Sequence, residues 1–98
     1  MIIVRNTFQL KFGKAKDAIA LIKEGQNFMT DNGSGKPRFM TDLTGEFYTF
    51  IMELSFENLS AYEKSSGGAM ASQEFNQWYQ KFIPLVEAGR REIFNVIN

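Results

Sequence analysis

The period of the hydrophobic pattern switches back and forth along this chain, and the order of the switches restricts the fold more than any other feature. IIVRNTFQL alternates, with Ile2, Val4, Asn6, Phe8 and Leu10 on one face of a strand and Ile3, Arg5, Thr7 and Gln9 on the other. FGKAKDAIALIKEGQNFMTDNG then repeats at three and four. Ala15, Ala18, Ile19, Ile22 and Met29 make an amphipathic stripe, widened by Leu21 and Phe28, with Gly25 on its apolar side. DNGSGKP predicts the stop, because its residues tolerate positive φ and a proline follows them.

Strand patterning returns in RFMTDL and EFYTFIMEL, joined near LTGE as a hairpin. Tyr48, Phe50, Met52 and Leu54 fall on one face of the second of these, and Phe47, Thr49, Ile51 and Glu53 on the other. ENLSAYEK opens a second helical region that pauses at SSGGAM and resumes with Ser72 as N-cap and Glu74 in the first turn. Phe75, Trp78, Tyr79, Phe82, Leu85 and Val86 keep helical spacing. Pro84 is expected to kink that helix or begin its last turn, Gly89 to stop it, and REIFNVI to close the chain as a strand. The order β-α-β-β-α-β predicts an α+β, ferredoxin-like domain, a four-stranded antiparallel sheet with the helices on one face. The 98 residues fit one such domain.

Helices on one side leave the other side of the sheet open. That face would carry Ile3, Phe47 and Ile51 among Arg5, Thr7, Thr49 and Glu53. It is too apolar to leave wet on a small domain and too polar for a dry core. Pairing two copies, sheet against sheet, covers the apolar side chains and lets the charges meet, so a symmetric homodimer is expected.

Composition narrows the chemistry. Eleven basic residues balance eleven acidic ones without segregation, which gives no electrostatic reason to expect nucleic acid or a membrane surface as partner. No apolar run reaches membrane-spanning length, and MIIV is followed at once by Arg5 and Asn6, unlike a signal-peptide core; the cytoplasm is the expected compartment. With no cysteine there is no disulfide framework. With no histidine there is no histidine-ligated metal and no serine-histidine triad, and no cofactor is expected from the residues.

RFMTDLTGEFYTFIMEL and FNQWYQKFIPLVEAGRREIFNV resemble the NIPSNAP-type branch of the dimeric α+β barrel superfamily, which also holds the antibiotic-biosynthesis monooxygenase-type and IsdG-like haem-degrading proteins. The resemblance spans nearly the whole chain. It implies the fold, the dimer, and a pocket in each protomer between helices and sheet. Its haem-degrading members use an asparagine on the first strand, a tryptophan early in the second helical region and a histidine later in it. Asn6 stands where that asparagine would be, but Tyr62 and Tyr79 stand at the other two places, so haem chemistry is not implied.

The candidate ligand-binding residues follow from local physics. Asn6 lies on an otherwise apolar strand face, where its amide must find a partner: a ligand oxygen, a neighbouring backbone group or Tyr48. Tyr48, Tyr62, Trp78 and Tyr79 can place polar tips around an apolar cavity, although each of these types also serves as plain core. Arg38, at the start of the second strand, and Arg90, beside Arg91 at the start of the fourth, can clamp a carboxylate or phenolate at a pocket mouth, or simply pair with Glu87 or Glu92. Acidic residues form no motif for paired-carboxylate hydrolysis. The expected function is binding of a small aromatic or oxygenated molecule. The alternatives are cofactor-independent oxygenation of a phenol or quinol, and a non-catalytic assembly module whose aromatic side chains only pack.

Overall fold

The structure, a computed structural model, describes residues 1–25, 37–68 and 73–98. Strand β1 (Ile2–Leu10) leads into helix α1 (Ala15–Gly25). Strands β2 (Arg38–Thr41) and β3 (Thr49–Phe56) follow, then helices α2 (Leu59–Gly68) and α3 (Gln73–Phe82), a 3-10 turn at Ile83–Leu85, and β4 (Val86–Asn95). The four strands lie in the order β2-β3-β1-β4, antiparallel throughout, which is the ferredoxin-like arrangement expected from the pattern. Phe28, Met29, the DNGSGK stop and the Ser72 cap lie outside the described residues, as do the side chains of Glu74 and Phe75.

Two apolar clusters fill the helix-covered side. Leu10, Ala18, Leu21, Ile22, Phe50, Trp78 and Phe82 pack under α1 and α3; Ile2, Val4 and Phe56 pack under α2 with Ala61 and Tyr62. The α1 stripe packs as expected through Ala18, Leu21, Ile22 and Gly25, but Ile19, expected in it, is exposed at its edge. The indole Nε1 of Trp78 donates to the Leu21 carbonyl at 2.6 Å, tying α3 to α1, and the Trp78 ring stacks on Phe82 at 5.4 Å. Asn58 caps α2, its Oδ1 accepting the Ala61 N–H at 2.9 Å.

Strand boundaries shift where loops assert themselves. β3 begins at Thr49 rather than near Glu46. Asp42 closes the connection by accepting the Thr49 N–H on Oδ1 at 3.0 Å, and Tyr48 takes a left-handed φ of 59°. For a non-glycine residue that conformation costs about 1–2 kcal/mol. It is held in place by the Leu10 N–H, which donates to the Tyr48 carbonyl at 2.8 Å, and by the Gln9 side-chain amide, which donates to the Phe47 carbonyl. Phe47 is therefore a loop residue and not part of the open sheet face. Pro84 sits in the short 3-10 turn that ends the helical region, and β4 starts directly after it.

Gly89 consequently lies inside β4 and does not stop a helix. It stands opposite Phe8, just past a bulge that shifts the pairing between Gln9 and Leu10. A Cβ on Gly89 would lie 2.9 Å from Cδ1 of Phe8, so the missing side chain is what lets that ring lie across the strand.

Candidate functional site

Register brings one row of residues abreast across the whole sheet. Phe39 pairs with Met52, Met52 with Asn6, and Asn6 with Arg91, so β2, β3, β1 and β4 each contribute one member. Paired residues point to the same side of a sheet, and Asn6 shares parity with Ile2, Val4, Phe8 and Leu10; the row therefore faces the helices. Its apolar half, Phe39 and Met52, packs against the first apolar cluster. Apolar at β2 and β3, it ends polar at β1 and β4.

Asn6 is only 6% exposed, and its Oδ1 accepts a hydrogen bond from Nε of Arg91 at 2.7 Å. The bond is charge-assisted and removes the cost of burying an unpaired amide oxygen. The guanidinium lies 6.0 Å from the centre of the Tyr62 ring, which in turn packs on Phe56 at 5.2 Å. Asn6, Arg91 and Tyr62 thus form one cluster where α2 meets the sheet, with Met52 half-buried beside it. The seam between α2 and the sheet sets a hydrogen-bonded guanidinium beside an aromatic ring.

The other candidates from the sequence are dispersed. Trp78 is spent on packing, its N–H committed to α1 and its ring to Phe82. Tyr79 is on the same helix, 39% exposed, with its ring 6.4 Å from that of Phe82. Tyr48 sits at the far end of β1 against Phe12, ring centres 4.6 Å apart, and does not bond Asn6. Arg38 and Arg90 both lie on the opposite face of the sheet. Arg91 therefore stands between Asn6 and the Tyr62 ring, and the structure does not bring Tyr48, Trp78, Arg38 or Arg90 to them.

Of the adjacent Arg90 and Arg91, it is Arg91 that turns to the helix-covered face and meets Asn6. Both faces of β4 mix charge with apolar residues, so its pattern has no phase of its own. Only pairing with β1 decides that Arg91 stands opposite Asn6 while Arg90 stands opposite Thr7.

The open face carries a polar network of its own. Glu53, 9% exposed, accepts from Nε of Arg5 at 3.0 Å and lies 3.8 Å from Nη1 of Arg38. Arg5 also lies over the Phe94 ring at 5.2 Å, and Arg90 reaches Glu92 at 3.4 Å. Register adds Ile3, Ile51 and Met40 to this face, so charge and apolar surface are interleaved as expected. A separate groove of about 430 Å³ opens between α1 and β2, lined by Ile19, Ile22, Lys23, Pro37 and Phe39 among others. None of the residues expected to bind a ligand lines it. Among the described residues no group of acidic side chains is placed to hold a metal ion, and no helix is long and apolar enough to cross a membrane.

Comparison with solved structures places this architecture. A NIPSNAP family protein from Agrobacterium tumefaciens superposes with a TM-score of 0.90 at 15% identity, covering 99% of this chain and 93% of that one. An uncharacterised NIPSNAP domain protein from Burkholderia xenovorans gives 0.89 at 13% identity, covering 99% and 95%. The chain has the NIPSNAP fold. The same arrangement extends to the monooxygenase-type proteins. SnoaB, a cofactor-independent oxygenase from Streptomyces nogalater, superposes on the NIPSNAP-like chain with a TM-score of 0.73 at 10% identity, covering 99% and 93%. No protein-family model matches the chain, and no curated protein matches it in sequence. At these identities the likeness is one of fold, and function must be argued from the site.

Proposed function

We propose that this NIPSNAP-like chain works as a homodimer, paired through its open sheet faces, that binds a small aromatic or oxygenated molecule in the seam beneath α2. The observation that carries the reading is Asn6. It is a buried amide in the middle of an apolar strand face, spent on holding one arginine in place. A core that needed only to pack would fill that position with an aliphatic side chain. The Arg5–Glu53–Arg38 network supports the dimer, because a second copy would cover the apolar side chains around it and extend the ion pairs.

A native mass spectrum of the purified protein tests both halves. The expected result is a dimer that carries additional mass or accepts added aromatic ligands. A clean monomer at micromolar concentration would remove the sheet pairing. A second reading, oxygenation of a phenol or quinol without a cofactor, draws support from the fold shared with SnoaB and from the Asn6–Arg91 pair, which could hold a phenolate oxygen. It expects steady oxygen uptake with quinols that Asn6→Ala abolishes; rates equal to those in buffer would count against it.

A further inference from the structure

The charge of Arg91 is balanced differently from that of the other arginines. Arg5 and Arg38 share Glu53, and Arg90 is paired with Glu92. Those three stand on the open face. Arg91, on the helix-covered face, has Asn6 as its hydrogen-bond partner and the Tyr62 ring beside it, and no carboxylate within ion-pair distance among the described residues. Neither partner neutralises it. The asparagine is neutral where an aspartate of the same shape would have closed an ion pair, so the cation is fixed in place but left uncompensated.

We propose that Arg91 is the anion subsite of this seam, and that the molecule it takes is a small aromatic carboxylate. The inference rests on the reading that the seam binds a ligand, and it names the chemical class. Geometry supplies the reasons. Asn6 engages Nε, which leaves the two terminal amino groups of the guanidinium as a forked donor for a planar carboxylate. One guanidinium balances one negative charge. Arg91 is exposed, so this fork is accessible to a ligand from solvent while Asn6 holds the other edge of the guanidinium. The Tyr62 ring supplies a wall on the α2 side.

Benzoate and its neutral counterpart benzamide, equal in shape, separate charge from ring binding. Both are titrated into the purified protein by calorimetry, with the Arg91 Nε–H resonance followed by NMR. Benzoate is expected to bind at least about tenfold tighter, a difference of about 1.4 kcal/mol, to move the Arg91 resonance, and to weaken as salt is raised. Arg91→Gln is expected to erase the preference. Arg91→Lys, which keeps the charge but lacks the fork, should retain part of it and covers the case in which the glutamine variant fails to fold. Lys14→Gln removes the same charge from the turn before α1 and should change nothing. Equal binding of benzamide, or a preference that survives in Arg91→Gln, would overturn the anion subsite while leaving the seam as a binding site. Failure of both compounds to bind would overturn the subsite and the pocket reading together.

Discussion

Asn6 concentrates the tension between folding and binding in a single side chain. An amide in an apolar layer is tolerated only when it is hydrogen-bonded, and Arg91 supplies that bond at 2.7 Å. The alternative of a well-packed aliphatic residue is open to the fold, because the clusters on both sides of Asn6 are already apolar. Asn6→Leu is therefore expected to keep stability within about 1 kcal/mol of the parent, since the exposed Arg91 guanidinium can be rehydrated when its partner is removed. The same variant should lose ligand binding. Urea denaturation read beside the benzoate titration checks both. A loss of more than about 3 kcal/mol would make Asn6 a structural residue in its own right, on the scale of a broken buried pair.

At the scale of the element, β4 gives the clearest case of local signals being overruled. Pro84 acts as expected, in the Ile83–Leu85 turn that ends the helical region, but Gly89 has the form of a helix stop and the strand runs straight through it. The reason is a ring. Phe8 packs edge-on to Phe82 at 5.1 Å and stacks with Phe50 at 6.0 Å, and it lies across Gly89 on the β4 side. Gly89→Ala should force that ring into its neighbours and cost about 1–3 kcal/mol. A thermal melt would register it; an unchanged midpoint would mean that Phe8 has room to move. Local propensity favoured a stop at Gly89, and a contact made from β1 took the position instead.

At the scale of the whole molecule, the sheet separates two kinds of chemistry. Its helix-covered face holds two apolar clusters with the polar Asn6–Arg91 pair beside them, and its open face holds interleaved charge and apolar surface. Glu53 is the pivot of the open face, buried between two arginines before any partner is added. Glu53→Arg would place three guanidinium groups together there, and the faces of two copies would then repel. Sedimentation equilibrium should find the parent dimeric and this variant monomeric. A variant that stays dimeric would move the interface elsewhere, towards the exposed edges of β2 or β4 or the aromatic tip formed by Phe12 and Phe47.

The sequence by itself determined the element order, the side of β1 and β3 that faces the helices, and the mixed character of the open face. Each depends on hydrophobic periodicity, a signal carried by near neighbours in the chain. Only the tertiary structure decided what Asn6 touches. Its partner is 85 residues away, on a strand whose own pattern does not say which of Arg90 and Arg91 turns inward. Tyr48 and Trp78 show the same limit. One is held in a left-handed turn by groups on β1, and the other gives its N–H to a carbonyl of α1. Periodicity assigns a residue to a face. Which residues on that face meet is set by strand register and helix packing, and these form only when distant segments close on one another.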